Sequence, residues 1–279
     1  MNRRNYMKVL PTALAAATGA IYLGAKTFPA SAQTTSGVTA EAVLATPPES
    51  TISSAIINAI APKTHASTVA QSVQTALEAV GSGVRTLSHP RALEDAFDSY
   101  FAFKNAHADR VKKPYLYFVD YGLPATTPRG YVFDMDALKI VDGPFMVAHG
   151  RGSAANSAGI PQRFSNAFGA ATTSLGLYVA QEIYSFTGHT GGQAYHAVGL
   201  KLAGVSEGFN DNARARGVVA HGAPYVTATR AGRSEGCPAL EPVRAATLLP
   251  KLANGGLVFL FAPDKDWMAR DPWIAATAE

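Results

Sequence analysis

Short segments rich in β-branched and aromatic residues recur along the second half of the chain, and they limit its fold more than any other feature. Gly, Pro, Ser or Asn separates each segment from the next, which is typical of β-strands joined by turns. The predicted strands are YLYFVDY (115–121), YVFDM (131–135), FMVAH (145–149), LGLYVAQEIY (175–184), AYHAVGL (194–200), GVVAH (217–221) and LVFLFA (257–262). Together they predict a mainly β domain over residues 111–279, with a mixed or antiparallel sheet closed around one core.

Helices are predicted ahead of this domain, in a helical N-terminal region over residues 52–110. An Ala-rich helical pattern runs over residues 53–80, with a break at Pro62, and a Gly-Ser-Gly sequence ends it. A second pattern runs over residues 90–107, with proline in its first turn. The stripe expected to face the core consists of Leu93, Phe97, Tyr100, Phe101 and Lys104.

The first 32 residues have the pattern of an export signal. Residues 2–8 carry three positive charges and no acid, residues 9–25 are uncharged, and Ala30-Ser31-Ala32 is a small-x-small cleavage site. The paired arginines resemble a twin-arginine signal. An uncleaved membrane anchor is the alternative, but Gly and Thr make the run weakly hydrophobic for a membrane-spanning helix.

The leader also accounts for the excess positive charge of the chain. Its cations are Arg3, Arg4, Lys8 and Lys26. Residues 1–32 contain no acid, so removing them takes the formal net charge from +4 to near zero. The sequence therefore offers no electrostatic case for binding nucleic acid. Residues 33–51, rich in Thr, Ser, Ala and Pro, are predicted to be a flexible linker.

Cys237 is the only cysteine in the chain, so no intramolecular disulfide can form. A lone thiol in an exported protein bridges two chains, packs as a small apolar side chain, or reacts. The neighbours of Cys237 are polar or turn-forming: Arg233, Ser234, Glu235, Gly236 and Pro238. This setting favours a reactive thiol over a buried one.

His221 precedes Cys237 by sixteen positions, at the end of a predicted strand. A hairpin of that length can return the chain to its start, so the two side chains can meet. An adjacent imidazole favours the thiolate form of a cysteine. Gly236 lets a carbonyl substrate approach, while its own N–H and that of Cys237 point toward the developing oxyanion. The pair is therefore a candidate for acyl transfer.

The same residues resemble a known family. A histidine, fifteen intervening residues and a cysteine that ends Ser-x-Gly-Cys, as at His221 and Cys237, are similar to the signature of the L,D-transpeptidases with a YkuD-type catalytic domain. Longer blocks, in consistent order from about Tyr115 to Ala262, resemble murein L,D-transpeptidase catalytic domain proteins, a proteobacterial subfamily with a GRSxGCPA loop. These blocks are HGRGS (149–153), GIPQRFSNAFGAATTSLGLY (159–178), GHTGG (188–192), NDNARARGVVAHGAPYV (210–226) and GRSEGCPAL (232–240). The resemblance implies a YkuD-like mixed β-sheet or β-sandwich domain.

The resemblance also implies roles for matching residues. Cys237 becomes the acylated nucleophile and His221 its base, oriented by the backbone carbonyl of Gly222. The amides of Gly236 and Cys237 form the oxyanion hole, and Ser234 shapes the loop beside it. The family motif continues with an apolar residue and then Arg or Asn, whereas this chain continues Pro-Ala. We expect Arg233 to supply the missing substrate-positioning group from the other side of the cysteine.

Other polar residues are weaker candidates for binding substrate. His149 either faces the substrate or stabilises a turn. His189, in a glycine-rich loop, is expected to line the cleft with Tyr184 nearby. A polar loop contains Arg163, Ser165 and Asn166. These three either read peptide carboxylates or form a solvated turn.

No metal site or cofactor is expected. His149, His189, His196 and His221 are the histidines that a zinc site would use, but they lack the HxxxH or HExxH spacing of known zinc motifs. His196 lies within a predicted strand, where a structural role is the simpler interpretation.

The resemblance implies a two-step acyl transfer between peptidoglycan stem peptides, in the periplasm and facing the cell wall. Contact with the membrane is expected only through an uncleaved export signal. Family members join diaminopimelate to diaminopimelate (3–3 links), and the subfamily includes enzymes that join L-Ala to diaminopimelate (1–3 links). With water as acceptor the same residues act as an endopeptidase or carboxypeptidase. A non-catalytic wall-binding module is a further alternative, and acylation by carbapenems is expected of an open, family-like pocket.

Overall fold

The structure is a computed structural model, and it describes residues 68–275. The predicted export signal and linker lie outside these residues. The strands in the described part are β1 Tyr115–Asp120, β2 Gly130–Asp134, β3 Lys139–Phe145, β4 His149–Gly150, β5 Gly176–Thr190, β6 Gln193–Gly204, β7 Val219–Gly222, β8 Arg233–Ser234, β9 Ala239–Leu240 and β10 Leu257–Phe261. The helices are α1 over residues 68–80, α2 Ala92–Ala106, α3 Pro242–Leu252, α4 Lys265–Arg270 and α5 Pro272–Ala275, with a 3-10 turn at Gly81–Gly83.

Eight strands form one mixed sheet in the order β3-β2-β1-β10-β5-β6-β7-β9. β1 is parallel to β10 and β7 is parallel to β9, whereas the other neighbours are antiparallel. β4 and β8 form a separate parallel pair. The predicted mixed sheet is therefore confirmed. Within the described residues, β3 and β9 are the two edges of the sheet. The sheet is therefore not closed by hydrogen bonds between these two strands, whereas the sequence predicted a closed sheet.

The core lies around the middle of the sheet. β10 is buried along its whole length, and so is β1 after its first residue. Both strands are continuous apolar runs, as expected where both faces of a sheet are covered. α2 packs against β1 and β10, whereas α3 packs against β6 and β7. α3 thus supports the end of the sheet formed by β6, β7 and β9, and His221 lies in this part of the sheet.

The predicted strand over residues 145–149 is wrong, because two separate strands meet there. β3 ends at Phe145 and β4 begins at His149. Between them, the carbonyl of Val147 accepts hydrogen bonds from Nε and Nη2 of Arg129, at 3.2 and 2.9 Å. The buried Arg129 side chain thus makes hydrogen bonds that a neighbouring strand would otherwise make. The chain then turns toward β9, where Ala148 forms an isolated bridge with Ala239.

The helix predicted over residues 90–107 is present as α2, which begins at Ala92. Leu93, Phe97 and Tyr100 of the predicted stripe are buried, and Phe101 and Lys104 are partly buried. The three helices near the end of the chain were not predicted. Within residues 68–275, no helix is both long and apolar enough to cross a membrane.

Candidate functional site

The parallel pairing of β7 with β9 brings His221 and Cys237 into one region. His221 is opposite Ala239 in the register, and its N–H donates to the carbonyl of Pro238 at 3.2 Å. The Val219 N–H, two residues before His221, donates to the sulfur of Cys237. The thiol therefore lies beside the strand that carries the histidine, although sixteen residues separate the two in sequence.

The imidazole of His221 is held in one orientation. Its Nδ1 lies 3.1 Å from the carbonyl oxygen of Gly222. A carbonyl only accepts hydrogen bonds, so Nδ1 carries the proton and Nε2 retains a lone pair. Burial lowers the pKa of His221, and the bond to Gly222 offsets part of this change. The geometry is that of a neutral, oriented base.

Cys237 is half-buried. Burial raises the pKa of its thiol, while the Val219 amide and then the charge of Arg216 act in the opposite direction. The sequence-based expectation of a thiolate beside the imidazole is thus not what the resting structure favours. Burial disfavours the charged form of both groups, so the neutral thiol of Cys237 and the neutral imidazole of His221 are the favoured resting forms.

Ser234 organises the loop that holds the cysteine. Its hydroxyl donates to the carbonyl of Cys237 at 2.6 Å and accepts the N–H of Gly236 at 3.1 Å. In this conformation the Gly236 N–H, which the sequence predicts for an oxyanion hole, is paired with Ser234. Gly236 has φ +134°, and a Cβ there would lie 2.9 Å from the carbonyl oxygen of Thr172. The loop thus requires glycine at this position.

Cys237 opens on a cavity of about 260 Å³, lined by residues 169–171, 216–218 and 235–237. Arg216 and Glu235 are its charged residues. A larger open groove, of about 600 Å³, lies between α1 and residues 135–138, and it contains neither Cys237 nor His221. The smaller cavity is the relevant one because Cys237 lines it, although His221 is not among its lining residues.

An aromatic surface from the β5–β6 hairpin covers His221. Tyr184 pairs with Gly199 across the hairpin, and Gly199 pairs in turn with His221. Because Gly199 has no side chain, the Tyr184 ring lies over it, and a Cβ there would be 2.6 Å from that ring. Phe186 contacts the imidazole edge-on. Burial, and then the charge of Cys237 in its thiolate form, raise the pKa of both Tyr184 and Tyr195.

Comparison with known proteins shows the family of this chain. Residues 86–261, more than half of the chain, match the profile of the L,D-transpeptidase catalytic domain. The chain belongs to the L,D-transpeptidase catalytic domain family. No curated protein matches it.

Solved structures with L,D-transpeptidase names are similar to the chain at low sequence identity. An L,D-transpeptidase from Mycobacterium smegmatis has 14% identity and a TM-score of 0.32, over 53% of this chain and 59% of its own. LdtMt1 in complex with imipenem has 13% identity and a TM-score of 0.34, with the same two coverages. The L,D-transpeptidase of Xylanimonas cellulosilytica has 12% identity and a TM-score of 0.32, over 56% and 68%. The chain thus spans about three fifths of the first two.

In this L,D-transpeptidase domain, His189 does not line the cleft as predicted. β5 continues to Thr190, and the chain turns at Gly191-Gly192, so the supposed loop is a strand. Alternate side chains of a strand point to opposite faces. Phe186 faces His221, so His189, three positions later, lies on the opposite face and is exposed. His196 lies on that outer face too, where Nδ1 is 3.0 Å from the hydroxyl of Thr187.

His149 is fully buried, which supports its turn-stabilising alternative over a substrate-facing one. Its Nδ1 lies 3.0 Å from Nη2 of the buried Arg129. Burial, followed by the charges of Arg129 and Arg233, lowers the pKa of His149 to about 3. The histidine is thus a neutral acceptor for a buried guanidinium, at the point where β4 pairs with β8.

The polar loop at residues 163–166 is engaged within the protein. Arg163 is exposed and donates from Nε to the carbonyl of Gly152 at 2.9 Å. Nδ2 of Asn166 donates to Asp211 at 2.6 Å, and the carbonyl of Ser165 accepts from Arg216 at 2.8 Å. These bonds favour a structural turn over the reading of peptide carboxylates.

The sequence predicted Arg233 as the substrate-positioning cation near Cys237, but the structure places a different arginine beside the cavity. Arg233 is exposed on β8, and it does not line the cavity at Cys237. Arg216 does line it, although sequence analysis did not single it out. The available signal was weak: Arg216 lies in the NDNARARGVVAH block, five residues before His221. Among the described residues, no group of three His, Cys, Asp or Glu side chains is placed to hold a metal.

Proposed function

We propose that this chain is a peptidoglycan L,D-transpeptidase in which Cys237 is the acylated nucleophile and His221 is its base. The observation that carries the proposal is the arrangement of these two residues on parallel neighbouring segments, with Nδ1 of His221 bound to the Gly222 carbonyl and Cys237 open to a cavity. Membership of the L,D-transpeptidase catalytic domain family supports the reaction class.

In the first step, Nε2 of His221 removes the thiol proton as the sulfur attacks the carbonyl carbon of a stem-peptide amide. Because burial raises the pKa of Cys237 and lowers that of His221, proton transfer accompanies the attack rather than preceding it. The C–S bond forms, and the carbonyl electrons move to oxygen. The Cys237 amide is the candidate donor to this oxyanion, since the Gly236 amide is bound to Ser234.

Collapse of the tetrahedral intermediate breaks the C–N bond. The imidazolium of His221 gives its proton to the departing amine, which leaves on the D-amino acid side, and a thioester remains on Cys237. An amine from a second stem then attacks the thioester and loses its proton to His221. The C–S bond breaks, and the sulfur regains a proton. The bound Gly222 carbonyl stabilises the imidazolium at both stages, because Nδ1–H continues to donate to it.

Membership of the L,D-transpeptidase catalytic domain family supports the substrate class of the proposal. The acyl donor has an L-centre, and the two candidate products are 1–3 links from L-Ala and 3–3 links from diaminopimelate. The rings of Tyr184 and Tyr195 offer an apolar surface with hydroxyl groups, which suits a peptide backbone with short side chains. The stem peptides lie outside the cell membrane, so the proposal includes a periplasmic location reached through the export signal of residues 1–32.

Mass spectrometry of products from defined stem peptides tests the proposal. The purified protein is incubated with a donor stem, with and without an acceptor stem that carries a free amine. Cross-linked product that requires both the acceptor and Cys237 supports a transpeptidase. Product shortened by hydrolysis alone identifies an endopeptidase or carboxypeptidase, and retention on cell walls with neither product identifies a binding module.

A carbapenem provides a second test that needs no stem peptide. Attack of the Cys237 sulfur on the β-lactam carbonyl opens the ring, and the protein gains the mass of one whole inhibitor. We expect this adduct in the wild-type protein and none in Cys237→Ala. An unchanged intact mass after prolonged excess inhibitor contradicts an open acylation pocket.

A further inference from the structure

Arg216 is bound to one segment of the chain through both ends of its guanidinium. Nη1 donates to the carbonyl of Ser165 at 2.8 Å and to the hydroxyl of Ser174 at 3.2 Å. Nη2 donates to the carbonyls of Ala170 and Thr172, at 3.1 and 3.2 Å. All four N–H bonds of the two terminal nitrogens are thus used within the protein. Arg216 is therefore fixed in place and does not have a free fork for a substrate carboxylate.

The segment that Arg216 holds, residues 165–174, supports the loop of the nucleophile. The Thr172 carbonyl, a partner of Arg216, is the atom that packs against Gly236. The next residue, Thr173, donates from its hydroxyl to the Gly236 carbonyl at 3.1 Å. A shift of this segment therefore moves Gly236, which directly precedes the nucleophile.

The positive charge of Arg216 also acts on the thiol of Cys237. Arg216 and Cys237 line the same cavity, and the charge of Arg216 lowers the pKa of the thiol. Glu235 acts in the opposite direction, but it forms an exposed ion pair with Arg151 at 2.8 Å. Because its geometry is fixed and partly buried, the charge of Arg216 acts without reorganisation when negative charge develops.

We infer that Arg216 is a positioning residue for acyl transfer, which holds residues 165–174 against Gly236 and keeps a fixed positive charge beside the sulfur of Cys237. This inference rests on the proposed function. The functional cation near Cys237 is then Arg216 rather than Arg233, which does not line the cavity. Its role differs from the one expected of Arg233, because it acts on the nucleophile and its loop rather than on the substrate.

Arginine is required for both parts of this role. A planar guanidinium reaches four acceptors at once, whereas a lysine ammonium is a single point charge on a flexible stem. Arg216→Lys therefore keeps the charge and loses the fork, and Arg216→Gln loses the charge. Arg214 is a matched control, since it lies two residues earlier, is exposed, and pairs with Glu182 at 2.9 Å.

The first measurement is the rate of Cys237 alkylation against pH, with neutral iodoacetamide and with anionic iodoacetate. Arg216→Gln is expected to raise the thiol pKa further, because a positive charge that favours the thiolate is removed, and alkylation at neutral pH should therefore be slower than in the wild type. It should also lower the ratio of the iodoacetate rate to the iodoacetamide rate. A change that slows both reagents equally cancels in this ratio. Arg216→Lys should keep the ratio, and Arg214→Gln should match the wild type in both respects.

The second measurement is the kinetics of transfer. We expect Arg216→Gln and Arg216→Lys to lower kcat with little change in KM, because the terminal N–H groups of Arg216 are used within the protein. If circular dichroism shows that Arg216→Gln does not fold, the kcat of Arg216→Lys tests the positioning role instead. A lysine variant with wild-type kcat overturns the positioning role.

The two measurements separate this inference from the proposed function. If the wild-type protein transfers no stem peptide, yet Arg216→Gln raises the thiol pKa and lowers the reagent ratio, the proposed function fails and the charge effect of Arg216 stands. If the wild type is active and Arg216→Gln has the same thiol pKa, reagent ratio and kcat, the inference is overturned and the function remains.

Discussion

Phe186 stands edge-on against the imidazole of His221, with ring centroids 5.4 Å apart and planes at 81°. This contact covers the histidine on the side of the β5–β6 hairpin, while the Gly222 carbonyl holds its Nδ1. Burial is the largest influence on the pKa of His221, and it lowers that pKa. The aromatic ring thus helps to keep the histidine neutral, which is the form that can accept a proton.

Replacing Phe186 with Ala should raise the pKa of His221 toward its ordinary range, because water then reaches the imidazole. An NMR titration of the imidazole measures this change directly. The matched control is Phe101→Ala, another half-buried aromatic residue, which lies on α2. An unchanged His221 pKa in Phe186→Ala contradicts the role of the ring in desolvating the base.

Gly199→Ala should impair transfer by displacing the Tyr184 ring. The added Cβ lies 2.6 and 2.8 Å from two atoms of that ring, so the ring has to move. We expect transfer to fall roughly 10- to 100-fold. The same clash should lower the free energy of unfolding. Adding Tyr184→Ala removes the clashing ring, so the double variant should regain the unfolding free energy but not the transfer rate. Gly81→Ala is the control, because a Cβ there meets nothing within 4 Å. Normal transfer by Gly199→Ala rules out a role for the ring position.

Ser234→Ala should loosen the nucleophile loop, since it removes the bonds to Gly236 and Cys237. The expected loss of unfolding free energy is about 1–3 kcal/mol, because buried partners are left unpaired. The transfer rate should fall as well, and Ser234→Thr, which keeps the hydroxyl, should retain most of it. Chemical denaturation and initial rates measure the two effects. A faster Ser234→Ala enzyme implies instead that a freed Gly236 amide improves the oxyanion hole.

Acid should destabilise the protein in part through His149. The pKa of this residue is lowered from 6.5 to about 3 in the folded state. Below the unfolded-state pKa the unfolded chain binds a proton that the folded chain does not, so stability falls as the pH falls. Between pH 6.5 and pH 4 this linkage amounts to roughly 3 kcal/mol.

The variant His149→Gln keeps an acceptor for Arg129 and removes the titrating group. Denaturation at a series of pH values should therefore show a weaker loss of stability in acid for this variant than for the wild type. Parallel curves for the two proteins exclude His149 as a source of the acid sensitivity.

The losses caused by Cys237→Ala and His221→Ala should not add. The two residues act as one unit in the proposed mechanism, so the double variant should transfer no more slowly than Cys237→Ala alone. Cys237→Ala should remain folded, because it removes a single half-buried sulfur atom. Near-normal cross-linking by Cys237→Ala contradicts the identity of the nucleophile.

Local patterns in the sequence predicted much of the scaffold. The run LVFLF corresponds to a fully buried strand, and residues 90–107 correspond closely to α2. These predictions worked because apolar periodicity and turn residues act over a few neighbouring positions. α3 was missed although Pro242 opens an Ala- and Leu-containing segment with a buried face, since that segment is short.

Register explains the main error among the site residues. The glycines around His189 suggested a loop, although Gly191-Gly192 is also a hairpin signal. Once β5 is known to reach Thr190, the alternation of side chains puts His189 on the face opposite Phe186. Strand length and pairing depend on distant partners, which a local pattern does not contain.

The sequence by itself determined most of the longer strand segments, the spacing of His221 and Cys237, and the family resemblance that these residues carry. Tertiary structure alone decided which amide Ser234 occupies, that His149 is buried against Arg129, and that Arg216 lines the same cavity as Cys237. The physical reason is that burial and the position of charges arise from contacts between segments far apart in the chain. The protonation states of His221 and Cys237 depend on those contacts, because both pKa values are shifted mainly by burial.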